Sequence, residues 1–136
     1  MLIYNKKKSI ASSRNIIYNF EELFSDFKCS LNLKDDLYFN LMVAITEGIN
    51  NASGHGNKFD PSKYVTLELA ASDNLIFCKI SDEGLGFNPQ NVADPRNPEN
   101  LLKDNGRGVF LMRELSKEFK VTSTENGTII ELIFEY

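Results

Sequence analysis

The sequence is short of the residues on which several classes of protein depend. Its 136 residues include two cysteines, one histidine and no tryptophan. Cys29 and Cys78 cannot build a disulfide framework, and neither belongs to a CxxC pair. Together with His55 they leave a tetrahedral metal site one ligand short. No apolar stretch approaches the roughly 20 residues of a membrane span. Met1 to Ser9 has no apolar core of the kind a secretion signal needs, so the expected compartment is the cytoplasm. Positive charge is also scarce. Fifteen Lys and Arg against nineteen Asp and Glu give a net charge of -4. Affinity for bulk nucleic acid comes mostly from cations that neutralise phosphates, so a nucleic-acid partner is not expected. The one basic run, Lys6-Lys7-Lys8, reads as a solvated strand edge.

What is present is a core. Hydrophobic residues make up 42% of the chain and charged residues 25%, which excludes a disordered tail. The length is that of a single domain, taken as 1–136, with no internal repeat or linker. Residues 2–9 read as a strand. Ser12 or Ser13 stands where a helix cap would, ahead of a stripe of Ile16, Ile17, Phe20, Leu23, Phe24 and Phe27. A second helix is predicted from near Leu33, with Leu37, Leu41, Ala44, Ile45, Gly48 and Ala52 on one face. Val65, Leu67 and Leu69 alternate with Thr66 and Glu68 as in a half-buried strand. The next strand places Ile76, Cys78, Ile80 and Asp82 on one face. Residues 83–105 read as a long loop that holds Pro89, Pro95 and Pro98. A helix is predicted from Gly108 to Phe119. A hairpin follows, from Val121 to Thr124 and Thr128 to Phe134, with its turn at Asn126-Gly127. This order predicts an α+β two-layer sandwich, a mixed and mostly antiparallel sheet with helices on one face.

Seven of the eight glycines cluster at three places, each beside specific polar residues. In the first, Thr46 to Asn57, Glu47 and Asn51 stand one helical turn apart and project together. An Asn oxygen suits Mg2+, which prefers oxygen and keeps several waters. A carboxylate beside it could accept a proton or orient a nucleophile, although Glu47 alone would read as an exposed helix charge. In the second, Ser81 to Phe87, Asp82 ends an apolar strand face. A buried carboxylate needs a donor, and an adenine amine or its own following amides could supply one. In the third, Asn105-Gly106-Arg107-Gly108 opens a helix, where amides attract phosphate and Arg107 could add charge. The spacing matches neither the P-loop nor the Rossmann fingerprint.

The three clusters, in this order, resemble the N box and the two glycine boxes of the GHKL, or Bergerat-fold, ATPase superfamily. The small size and the stretch Asp94 to Leu102 narrow the resemblance, over the whole chain, to the bacterial anti-sigma-factor serine kinases. It implies ATP and Mg2+ as cofactors. Glu47 would be the general base toward a serine hydroxyl and Asn51 the metal ligand, its adjacent Asn50 being disfavoured only by spacing. His55 would join the nucleotide site, and Asp82 would bond the adenine amine. Gly84 and Gly86 would shape the pocket, and Thr128 would lie beside the adenine. Asn105, Gly106, Arg107 and Gly108 would close on the phosphates, with Asn88 to Asn105 as a lid. The implied partners are a sigma factor and an anti-anti-sigma protein of the STAS type, with the chain as a homodimer. The competing reading is a nucleotide-dependent binding switch without phosphotransfer. A histidine kinase fragment fits less well, because the only histidine lies inside the N box.

Overall fold

The structure is a computed structural model and describes residues 1–85 and 104–136, with the side chains of 104–106 outside that description. Strand β1 runs Tyr4–Ala11, helix α1 Glu21–Leu31 and helix α2 Asp35–Asn50. Strands β2 (Tyr64–Ala71) and β3 (Leu75–Ser81) follow, then helix α3 (Asp104–Leu115) and strands β4 (Glu118–Thr124) and β5 (Gly127–Glu135). The strand order is β1-β2-β3-β5-β4, and all four pairings are antiparallel.

The helices lie against one face of this sheet because the strands alternate at a period of two. Val65, Leu67, Leu69 and Ala71 of β2 are buried, as are Ile76, Cys78 and Ile80 of β3 and Ile130, Leu132 and Phe134 of β5. Against them pack Leu23, Phe24 and Phe27 of α1, Leu41, Ala44, Ile45 and Ile49 of α2, and Val109 and Met112 of α3. Tyr4 meets Phe27 edge to face at 5.1 Å, which ties β1 to α1. The Cys78 thiol, pushed up in pKa by burial, is an inert core group.

The opposite face carries a charge pattern that sequence separation conceals. Register places Lys7 opposite Glu68, Glu68 opposite Lys79, Lys79 opposite Glu131, and Glu131 opposite Lys120. Charge therefore alternates across all five strands in one row, and Lys79 Nζ lies 3.8 Å from Glu68 Oε2. Opposite charges on facing strands attract where like charges would repel. The row accounts for Lys7 of β1, while Lys6, on the other face, pairs with Asp26 of α1 at 2.7 Å.

Several local expectations shift. Strand β1 begins and ends two residues later than predicted, since its ladder with β2 extends to Ala11. Neither Ser12 nor Ser13 caps a helix. Ser12 is buried and donates its hydroxyl to the Lys63 carbonyl, and the chain makes a 3-10 segment over Ile16–Phe20 before α1. Phe119 lies in β4 rather than at the end of a helix, because α3 stops at Leu115. The hairpin turn is Glu125-Asn126, one residue earlier than predicted, since Gly127 already pairs with Thr124. Gly127 has φ +142°, a region that side chains disfavour, and its Cα packs on the Asp82 carbonyl.

Candidate functional site

Helix α2 does not end on a cap. It widens into a π-helical turn over Asn51–Gly56, closed by the Asn57 amide donating to the Ala52 carbonyl at 2.8 Å. Wide turns of this kind recur at functional sites, because they re-aim side chains at a helix end. Two residues later the backbone enters the left-handed region twice in succession, at Lys58 (φ 55°) and Phe59 (φ 58°). Neither is glycine, so both carry strain of about 1–2 kcal/mol each. Phe59 folds back onto Gly54, where an added Cβ would lie 2.9 Å from its ring, and the Arg14 guanidinium stacks over that ring at 4.3 Å from its centroid.

A cavity of about 460 Å³ opens beside this turn, within the usual size range of small-molecule sites. Its walls are Glu47, Asn50, Asn51, Gly54, His55, Phe59 and Arg107. Glu47, Asn51, His55 and Arg107, four of the residues singled out in the sequence, thus share one space although Arg107 is sixty positions from Glu47. Asn51 is only 8% exposed, and among the described residues its carboxamide makes no hydrogen bond. Asn50 also faces the cavity but is exposed, so burial as well as spacing separates the two. Gly108 brings α3 against α2, since a Cβ there would stand 2.8 Å from Glu47 Oε2.

Asp82 stands behind this cavity, next to Gly56. It is buried, and its Oδ1 accepts from the amides of Gly84 at 3.0 Å and Thr128 at 3.1 Å. Burial raises its pKa, and the two amide bonds and Lys63 oppose that rise. Its other oxygen lies over Gly56, where any Cβ would collide with it. Among the described residues Oδ2 accepts no hydrogen bond, so one lone-pair face is available to a donor. The Gly84 Cα packs on the Gly56 carbonyl with no room for a side chain. These two glycines make way for each other's backbone and for Asp82. Thr128 is buried and acts here through its backbone, which accepts from the Asp82 amide at 2.9 Å and donates to its carboxylate.

Asn105 and Gly106 fall in the first turn of α3, and Gly86 and residues 88–103 of the expected lid lie outside the described residues. Residues to which the sequence assigned no role at the site hold it together. Asn57, Ser12 and Ser53 are all buried polar groups. Ser53 Oγ donates to the Ser13 carbonyl at 2.9 Å and accepts from its amide at 3.1 Å. Asn57 joins Ser12, Tyr64 and Glu83. Only its place inside a glycine-rich run marked Asn57 in the sequence.

A five-stranded antiparallel sheet backed by helices thus carries an Asn at a helix end and a buried Asp just past the end of β3. The histidine kinase-like ATPase domain family matches residues 17–134, and the chain belongs to that family. It is similar to the anti-sigma F factor of Anoxybacillus flavithermus, 29% identical over 112 residues that cover 79% of this chain and 75% of the relative. It is likewise similar to the anti-sigma F factor of Clostridium perfringens, 29% identical over 96 residues and 67% of each chain. Among solved structures it resembles the histidine kinase domain of a blue-light activated histidine kinase from Erythrobacter litoralis. The TM-score is 0.54 at 22% identity, over 72% of this chain and 47% of that one. That likeness places the fold. Among the described residues, no helix is long and apolar enough to cross a membrane.

Proposed function

We propose that this protein is a cytoplasmic, homodimeric anti-sigma factor that binds ATP with Mg2+, sequesters a sigma factor, and phosphorylates a serine of an anti-anti-sigma partner. The observation that carries the kinase reading is the shared cavity. Glu47 and Asn51 face it from one helix and Arg107 faces it from another, 12-residue helix. The sigma-factor partner is suggested by the relatives, which are named anti-sigma F factors, and the anti-anti-sigma partner by the resemblance to the anti-sigma-factor serine kinases.

The donor set fits the metal. Among the described residues no three His, Cys, Asp or Glu gather to hold an ion. A cage of protein carboxylates is not what Mg2+ requires, since it keeps waters and takes substrate phosphates. Asn51, a largely buried residue whose carboxamide makes no hydrogen bond among the described residues, is the side chain that would hold it, and the ion would neutralise phosphate charge. Glu47 would accept the hydroxyl proton as the serine oxygen attacks the γ-phosphorus and ADP leaves. Arg107 would steady the phosphates by charge. Asp82 would accept from the adenine amine through Oδ2.

The test is labelled-phosphate transfer to purified anti-anti-sigma candidates, with wild type and Glu47→Gln side by side and with EDTA as a metal-free arm. The expected result is transfer by wild type, lost in EDTA and strongly reduced in the variant. Robust transfer by Glu47→Gln overturns the role of Glu47. Silence from both proteins with a partner that binds favours a switch that works by binding alone.

A further inference from the structure

We infer that Asn57 is a positioning residue for base selection, bolting the adenine-facing turn at Asp82 to the end of the metal-binding helix. The inference rests on the reading of Asp82 as the adenine acceptor and adds to it.

The turn from Asp82 to Gly84 has three successive amides, and each is held by a different group. Asp82 N–H donates to the Thr128 carbonyl, Gly84 N–H to Asp82 Oδ1, and Glu83 N–H to Asn57 Oδ1 at 2.7 Å. The first two bonds stay within the turn and its neighbour β5. Only the third crosses to the α2 end of the molecule. Asn57 is 1% exposed and uses its whole side chain. Its Nδ2 donates to Ser12 Oγ at 2.7 Å and to the Tyr64 carbonyl at 3.1 Å. Glu83 adds a return tie, its Oε1 accepting from the Tyr64 amide at 2.5 Å. One carboxamide therefore joins the ends of β1 and β2 to the Asp82 turn.

The placement matters because of what surrounds it. Gly56, the residue before Asn57, lies directly under Asp82 Oδ2 and against Gly84. The two amides on Oδ1 orient the carboxylate, and the distance of the Gly56 backbone from the turn sets how deep Oδ2 sits. The Asn57–Glu83 bond fixes that separation. Without it, packed glycines supply no directional restraint, and a carboxylate displaced by a few tenths of an ångström loses alignment with an amine. A merely structural Asn would lower stability and weaken every nucleotide alike. A positioning Asn lowers the discrimination between bases.

The experiment measures the affinity of the full chain for ATP and for purine riboside triphosphate, which lacks the exocyclic amine, by calorimetry with Mg2+. Wild type should prefer ATP by about tenfold, the usual worth of a buried polar pairing. Asn57→Ala should cut that preference to about twofold or less. Asn57→Asp, which keeps an acceptor for Glu83 N–H, should retain more of it than Asn57→Ala. Leu69→Ala, a buried β2 control, should lose stability and keep the wild-type ratio. If Asn57→Ala does not fold, Asn57→Ser is used, since its short hydroxyl cannot span to Glu83. In wild type without nucleotide, the Glu83 amide should also be protected from hydrogen exchange. An unchanged ratio in the folded variants, an equal fall in Leu69→Ala, or a fast-exchanging Glu83 amide overturns the proposal. Absence of any preference in wild type overturns the adenine reading of Asp82 itself, which separates the two failures.

Discussion

The two ends of the candidate site are built on opposite principles. At the Asp82 end the polar groups of the turn are met from within the protein: two amides on one carboxylate oxygen, an Asn side chain on the next amide, and backbone packed on backbone at Gly56 and Gly84. At the Glu47 end, polar side chains from two helices face an open cavity, and the Asn51 carboxamide makes no hydrogen bond among the described residues. A closed end holds one hydrogen-bonding vector in place and suits recognition of a base. An open end holds donors and acceptors ready for groups that arrive with the ligand, as phosphoryl transfer requires. Substitutions at the closed end should therefore register in stability and affinity, and those at the open end in turnover.

The largest expected effect breaks the open end. Glu47→Gln should lower phosphate transfer by about 100- to 10,000-fold, the range for a positioned base, with ATP affinity changed less than about threefold. Parallel transfer and calorimetry measurements check the pair, and a matching collapse of affinity would erase the distinction between the ends. Next is Gly84→Ala at the closed end. Its new methyl would meet the Gly56 carbonyl, which belongs to the π-helical turn, so a loss of about 1–3 kcal/mol is expected from denaturant unfolding. An unaffected midpoint would mean that the backbone contact is loose.

Asp82→Asn sharpens the contrast, because it should move affinity and stability in different directions. ATP should bind about tenfold more weakly, since the carboxylate is replaced by a group that presents an amide donor. The fold should hold or gain. A carboxylate whose pKa is raised by burial contributes stability below the ordinary Asp range, and loses it as pH rises through the raised value. The neutral amide removes that loss and can still accept on Oδ1. Thermal melts of both proteins at neutral pH and near pH 4 check this, with the advantage of the variant larger at neutral pH. The smallest effect lies away from both ends. Lys79→Glu would place like charges opposite Glu68 and Glu131 and should cost about 1 kcal/mol or less at low salt, fading as salt is added. A loss in nucleotide affinity from that change would couple the outer sheet face to the site.

Much of the fold was legible because burial leaves a period. The alternation in β2 and β3 and the apolar stripes of α1 and α2 are read directly from spacing, and both sets of residues are core. The errors fall where local pattern is weak. Phe119 stands four residues after Leu115, at helical spacing, although a helix-to-strand change lies between them. Ser12 has the composition of a cap, but its hydroxyl is taken by a carbonyl from β2's approach. The hairpin was found from Asn126-Gly127, but the pairing of Gly127 with Thr124 moves the turn one residue toward the N-terminus.

Glu47, Asn51 and Asp82 were legible as candidates from residue type and spacing, since a helical turn puts the first two on one flank whatever else the chain does. The family match extends over residues 17–134. Tertiary structure alone decided which groups would meet. Asn57 finds Glu83 across 26 positions and Ser12 across 45. Gly56 and Gly84 become partners, and five charges on five strands fall into one alternating row. The physical reason is range. Propensity and periodicity act over a few residues, whereas hydrogen bonds and close packing join whatever folding brings within about 3–4 Å, regardless of separation along the chain.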